Sequence, residues 1–253
     1  MALRILGIDF RTDGPSLPGR ILEAGLIVVP SGPGLSDDLL HSVVYRQALQ
    51  NADWVIPDSG LMVLVWNLLN AGNKSRQLER YSGLRLLREL LPLAEVQQPQ
   101  ATFWVMPSAP ERDRNLLWLR DHGFAHLSSE ADCYVAPFYK SATDGTIEDR
   151  ELLAILEQRR PKIVFLNVGG GTQEQLGWYL RKNLSFCPAI LCTGAAIAFI
   201  TGGQAAIPPW ADKLYLGWLL RILRDPKKFG RRYWNSIGLV GLLLKYRDRS
   251  PVP

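Results

Sequence analysis

The stretch Lys162-Ile163-Val164-Phe165-Leu166-Asn167-Val168-Gly169-Gly170-Gly171-Thr172-Gln173-Glu174 reads as a strand that runs into a glycine turn and then a helix. Residues 162–168 are rich in β-branched and aromatic side chains, which suit a buried strand. The helix takes residues 172–183, and the apolar run 189–192 is the next strand, ending at Thr193-Gly194. Strand, helix and strand in this order form a βαβ unit whose two strands lie parallel.

Upstream the alternation repeats. Strands are predicted at 26–29, 54–56, 102–106 and 133–136. Between them fall helices at 35–51, with an apolar face of Leu39, Leu40, Val43 and Leu49, and at 61–69, 84–91 and 112–122. A further helix at 147–159 carries Leu152, Leu153 and Leu156. The pattern predicts an α/β fold, a mostly parallel sheet with helices on both faces in Rossmann-like layers. Functional groups of such a sheet gather at the carboxyl ends of its strands. Three polar or glycine-rich strand ends qualify: 57–60, 169–174 and 193–194.

Charge divides the chain. Residues 211–253 hold ten Lys and Arg against Asp212, Asp225 and Asp248, a net of +7, so with +5 overall residues 1–210 carry −2. We therefore expect an α/β core at 1–210 and a basic, amphipathic helical appendage at 211–253. Asp225 and Pro226 suit the cap and first position of a helix, so two short helices meet there, and their spacing turns Arg221, Arg224, Lys228 and Arg231 one way. Such an array fits a phosphate-rich partner: a nucleoside diphosphate, a lipid diphosphate, an anionic membrane or a nucleic acid. The aromatic and aliphatic residues among these cations fit a membrane surface better than duplex DNA.

Other classes fall away. At 253 residues and 47% hydrophobic the chain can bury a large core. Cys133, Cys187 and Cys192 match neither a zinc spacing nor a disulfide framework, which predicts cytosolic exposure. The N-terminal apolar run is too short for a signal peptide. Residues 183–211 lack charge but are interrupted by Pro188, Gly194, Gly202, Gly203, Pro208 and Pro209, and 237–244 is too short to span a bilayer. Any membrane contact is expected to be peripheral. His41, His122 and His126 have no ligand spacing, and no Gly-x-Ser-x-Gly elbow occurs, which argues against zinc and serine-hydrolase chemistry.

Candidate chemistry remains at the strand ends. Asp58 follows an apolar strand and precedes an apolar helix, where a carboxylate suits a general base; the simpler reading is that it caps that helix in a Pro-Asp-Ser-Gly turn. Gly169, Gly170 and Gly171 let backbone amides approach an anion at a helix N-terminus, with Gln173 and Glu174 as polar handles, although neither GxGxxG nor a P-loop lysine is present. Arg80 either reaches a strand end or forms a surface ion pair.

Taken in order, these pieces resemble the WecG/TagA/CpsF glycosyltransferase family (glycosyltransferase family 26). The resemblance rests on Ala52-Asp53-Trp54-Val55-Ile56-Pro57-Asp58, Glu79-Arg80-Tyr81-Ser82-Gly83, the glycine turn with Gln173-Glu174, and Thr193-Gly194-Ala195-Ala196-Ile197-Ala198-Phe199-Ile200-Thr201-Gly202. It continues through Pro209-Trp210, Trp218-Leu219-Leu220-Arg221 and Pro226-Lys227-Lys228. It implies transfer of a sugar, often of N-acetylmannosamine type, from a UDP donor to a lipid-diphosphate-linked acceptor at the inner face of the membrane. It also implies inversion without a metal; no other cofactor is expected, and the make-up of the basic tail argues against a nucleic-acid partner.

By position, Asp58 becomes the base, and Arg221, Lys228 and Arg231 match basic catalytic positions of the appendage. Arg80, Gln173, Glu174, Gly169, Gly170, Gly171, Thr193 and Gly194 become substrate-binding, and Ser31 replaces a threonine of the family's Thr-x-Asn motif. The chain departs from the pattern at Pro30, at Arg85 and Ala198 where acids are common, and at Ala206 where an arginine is. These departures fit a different donor sugar or a catalytically weakened homologue that binds nucleotide sugar or scaffolds a membrane assembly. A homo-oligomer is compatible with the sequence.

Overall fold

Apolar residues run unbroken through the central strands, and successive side chains leave on opposite sides, so one sheet needs cover on both faces. The computed structural model describes residues 2–11, 17–23, 25–139, 147–204 and 236–252. A hairpin of β1 (Ala2–Ile5) and β2 (Ile8–Arg11) leads to α1 (Leu17–Ile21) and β3 (Gly25–Val28). After a π-helical turn at Gly34–Asp38 come α2 (Leu39–His41), α3 (Val43–Gln50), β4 (Trp54–Val55), α4 (Gly60–Leu69), α5 (Gly83–Leu90) and α6 (Ala94–Gln97). Then follow β5 (Thr102–Met106), α7 (Ala109–Asp121), β6 (Cys133–Val135), α8 (Arg150–Arg159), β7 (Ile163–Leu166), α9 (Thr172–Asn183), β8 (Ala189–Cys192), α10 (Ala196–Ile200) and α11 (Gly238–Tyr246).

The central sheet has the order β4-β3-β8-β7-β5-β6, and all its pairs are parallel. One face buries Leu26, Val28, Val105, Leu166, Ile190 and Cys192 under α3, α4, α8, α9 and α11. The other buries Ile27, Trp54, Trp104, Met106, Phe165 and Leu191 under α5, α7 and α10. Trp104 stacks on Phe165 with centroids 4.1 Å apart and meets Phe124 edge-on at 6.1 Å. Side chains of this size each contribute about 1.5–3 kcal/mol when fully buried, so these two layers supply most of what holds the sheet.

Local polar groups adjust the expected boundaries. The expected helix at 35–51 is broken at Ser42, whose extended backbone (φ −109°, ψ 114°) and hydroxyl, accepting from Tyr45 N at 3.1 Å, start α3 afresh. Val43, expected on the apolar face, is consequently exposed. The helix expected from 147 starts at Arg150 because Asp149 caps it through Leu152 N at 2.8 Å. The one expected at 112 starts at Ala109, with Ser108 as cap and Pro110 in its first turn.

The hairpin adds to the expected plan, and α11, the described helix of the expected appendage at 211–253, packs on the core. Leu239 and Leu243 of α11 join the core beneath α4, and Leu6 N and Gly7 N donate to the carbonyls of Arg247 and Asp248. Among the described residues no helix is long and apolar enough to cross a membrane.

Candidate active site

Because β4, β3, β8 and β7 are parallel neighbours, the loops that leave them lie in a row along one edge. These are the loops at 56–60, 29–34, 193–195 and 167–171. The row holds three strand ends singled out from sequence together with Ser31. Hydrogen bonds carry the alignment beyond the strands: Ile56 N donates to Val28 O at 2.9 Å and Gly194 N to Leu166 O at 3.1 Å.

Asp58 does not cap α4. That task falls to Ser59, whose hydroxyl accepts from Met62 N at 3.3 Å. The Asp58 carboxylate turns instead toward the segment before α5. There Oδ1 accepts from Gly83 N at 3.3 Å and lies 3.4 Å from Arg80 Nη2. Arg80 Nε also donates to the Asp58 backbone carbonyl at 2.6 Å, and Tyr81 N to Pro57 O at 3.1 Å. Arg80 is thus a strand-end residue rather than a surface ion pair, its side chain 14% exposed beside an Asp58 side chain 28% exposed. The start of α5 also covers the ends of β3 and β8, because a methyl group built on Gly83 would lie 3.3 Å from Val29 Cγ1 and 3.6 Å from the Thr193 carbonyl.

Across the row, the glycine turn delivers Gln173 and Glu174 inward. Gly171 takes φ +89°, a conformation open to glycine, and its N–H donates to Glu174 Oε2 at 2.7 Å. Glu174 Oε1 accepts from Gln173 Nε2 at 3.1 Å. Burial pushes the Glu174 carboxyl up to about 7, against these hydrogen bonds, with the nearby Asp38 carboxylate adding to the rise. Gln173 reaches the β8 end, where a methyl group on Gly194 would lie 3.3 Å from Gln173 Oε1. Ser31 is positioned by its own turn, its hydroxyl accepting from Gly34 N at 3.4 Å.

Two residues of this edge escaped sequence reasoning. Asp38 lies against the glycine turn, with Oδ2 2.7 Å from where a Gly171 methyl would sit. Asn167 ends β7 almost fully buried, and its Nδ2 donates to the Val105 carbonyl at 3.2 Å. Asn167 Oδ1, Gln173 Oε1 and Thr193 Oγ1 are buried without a hydrogen-bond partner among the described residues. The signal for Asn167 was a polar residue inside an otherwise apolar strand.

Of the positions that depart from the family pattern, Arg85 pairs with Glu89 at 2.8 Å and Glu79 at 3.0 Å and lies over the Tyr81 ring. Ala198 is buried in α10. Ala206, Trp210, Arg221, Asp225, Pro226, Lys228 and Arg231 lie outside the described residues. Among the described residues, no group of three or more His, Cys, Asp or Glu could hold a metal ion.

Comparison with known proteins identifies relatives along most of the chain. The sequence model of the glycosyl transferase WecG/TagA/CpsF family matches residues 20–251. An N-acetylglucosaminyldiphosphoundecaprenol N-acetyl-beta-D-mannosaminyltransferase of Bacillus spizizenii is 23% identical over 236 residues, which cover 90% of this chain and 82% of that protein. A protein of the same name from Staphylococcus aureus is 21% identical over 216 residues, covering 81% of this chain and 75% of its own length. With the family's model matched over nearly its whole length, the chain belongs to the WecG/TagA/CpsF family of glycosyltransferases.

Proposed function

We propose that this glycosyltransferase moves a sugar, of N-acetylmannosamine type or a related hexose, from a UDP donor to a lipid-diphosphate-linked acceptor in cell-surface polysaccharide synthesis, with inversion and without a metal. The single observation that carries the reading is Asp58 anchored by Arg80 and by the Gly83 amide, in one row with Gln173 and Thr193. The names of the Bacillus and Staphylococcus relatives, which specify a diphosphoundecaprenol acceptor, support it.

In this reading Asp58 removes the proton of the acceptor hydroxyl as its oxygen attacks the anomeric carbon. The bond from that carbon to the diphosphate breaks on the opposite side, its electron pair leaves with UDP, and the proton stays on Asp58 until solvent takes it. A diphosphate needs positive charge more than a proton to leave, and Arg221, Lys228 and Arg231 of the basic appendage at 211–253 supply it. Gln173, Thr193, Gly194 and Ser31 line the donor, and the amides of Gly169 and Gly170 face its anionic part, with Gly171 shaping the turn through its bond to Glu174. Working on a lipid-linked acceptor, the protein sits peripherally at the cytoplasmic face of the membrane. Transfer is tested by incubation with UDP-sugars and a lipid-diphosphate acceptor: an Asp58→Asn variant with full activity would remove Asp58 from the base role.

A second reading, a weakened homologue that retains donor binding, is favoured by Arg85, a cation tied into ion pairs where the family pattern has an acid. Saturable UDP-sugar binding with no turnover across a broad donor panel would select it.

A further inference from the structure

We propose that the outer faces of α4 and α11 rest on the hydrocarbon margin of an anionic lipid bilayer, so that a helix of the catalytic core, side by side with the last helix of the basic appendage, docks the enzyme with the Asp58 loop at the headgroup level. The inference rests on the lipid-linked acceptor proposed above and adds which surface meets the membrane.

Apart from Asn67, whose amide is engaged by the Leu78 backbone, helix α4 is apolar. Met62, Val63 and Trp66 enter the core, Val65 and Leu69 pack against its margin, and at helical spacing Leu61, Leu64 and Leu68 occupy the opposite side, with Leu64 40% and Leu68 76% exposed. Helices with so little polar surface are normally buried or in lipid. Its neighbour α11 repeats the pattern: Leu239 and Leu243 pack inward, and Ile237 and Leu244 are 54% and 55% exposed.

The two helices run side by side in the same direction. At one end Ser59, the cap of α4, and Ser236, just before α11, lie together beside Gly32; at the other Arg76 pairs with Asp248 at 3.8 Å. Their N-terminal ends therefore abut the active-site edge, one residue from Asp58.

Charge identifies the occupant. Neither 59–73 nor 236–244 contains a charged residue, and cations begin where both helices end: Lys74 and Arg76, then Lys245, Arg247 and Arg249 against Asp248 alone. An exposed apolar surface edged by Lys and Arg has the composition of an interfacial membrane element. A second copy of the chain would bring the same one-signed surface and offer no acid in either helix to pair with it. Anionic headgroups supply that partner.

The test uses the full chain and phosphatidylglycerol-rich vesicles, with pure phosphatidylcholine vesicles for comparison. Leu64→Ser/Leu68→Ser should lower flotation with the anionic vesicles by about tenfold or more, since two exposed leucines leave the hydrocarbon. Its circular dichroism and melting temperature should match the parent, because neither side chain is in the core. In a Cys187→Ser background, an environment-sensitive dye on Leu68→Cys should shift to the blue on these vesicles. Unchanged flotation with no dye shift overturns the proposal, and so does loss of a dimer in sedimentation without loss of flotation. Transfer to a water-soluble short-chain acceptor separates the two readings. Flotation lost with that transfer intact supports both, whereas flotation lost in the variant with no transfer by the parent supports the surface and sinks the enzymatic reading.

Discussion

Arg80 grips Asp58 at two levels, donating from Nε to its backbone carbonyl at 2.6 Å and holding Nη2 3.4 Å from the carboxylate. One contact fixes where the loop sits and the other how the side chain turns. Asp58→Asn keeps an oxygen for Gly83 N but removes the base, so kcat should fall by about 10²–10⁴ with UDP-sugar affinity and melting temperature near the parent values. Steady-state kinetics beside donor titration checks this, and a matched loss of donor affinity would move Asp58 from base to binding residue.

Arg80→Ala should act differently. It removes a mostly buried cation and leaves the Asp58 carbonyl without that donor, costing about 1–3 kcal/mol of stability. The Asp58 loop then moves, so kcat should drop while Arg80→Lys recovers part of the stability but little of the rate, since a point charge lacks the two-pronged fit. Urea unfolding and transfer rates on the pair measure the split.

Glu174 should leave a mark on stability against pH. Its folded carboxyl sits near 7 against 4.5 when unfolded. Below the unfolded value both states are protonated and the carboxyl costs nothing. As pH rises toward the folded value the unfolded chain ionises first, so stability falls, by about 3 kcal/mol in all, and levels off above neutrality. Glu174→Gln lacks this slope and still accepts from Gly171 N. Urea midpoints of both proteins between about pH 5 and 8 should diverge as pH rises, with the variant the more stable; parallel curves would assign the slope elsewhere.

The sheet was legible because each central strand is an apolar run closed by a glycine or proline turn, and the parallel order places 57–60, 169–174 and 193–194 on one edge without further information. The hairpin was not: Leu6-Gly7 makes its turn with both residues at positive φ (51° and 78°), and a leucine there carries none of the Asn-Gly signal that marks such turns. Asp58 could be assigned to a strand end but not to a partner, since its contacts with Arg80 and Gly83 span more than twenty residues. Asp38 was hidden in a run taken as one long helix. Ser42 broke that run by a local hydrogen bond that helical periodicity does not reveal.

A family-motif residue outside the active edge also has a structural duty. Asp53 Oδ2 accepts from Leu26 N at 2.8 Å and lies 3.6 Å from Arg181, which is possible because Gly25 (φ +108°) leaves the space open. A methyl group there would sit 2.3 Å from Oδ2. Gly25→Ala should therefore cost about 2–4 kcal/mol through backbone strain and loss of the Asp53 bond. Combined with Asp53→Ala it should cost less than the sum of the two, which a double-mutant cycle in urea resolves.

Asn167 offers a test of donor recognition. Its Nδ2 faces the carbonyls of Val105 and Phe165 at 3.2 and 3.4 Å, so reversing the amide would set oxygen against oxygen and the orientation is fixed. Oδ1 has no partner among the described residues. Two residues beyond the Phe165–Leu191 pair, the register brings Thr193 beside it, its hydroxyl likewise without a partner among the described residues. Buried acceptors without partners are costly, and a ligand N–H or O–H at the strand ends would offset that cost. Asn167→Ala should then weaken UDP-sugar binding by about fivefold to tenfold, roughly one hydrogen bond, and Thr193→Val should add less on top of it than alone, because both serve one ligand group. Calorimetric titration of the two single variants and the double variant measures the coupling. Unchanged affinity in all three, with lower stability in Asn167→Ala, would assign Asn167 to holding β7 against β5 and leave donor selection to Gln173.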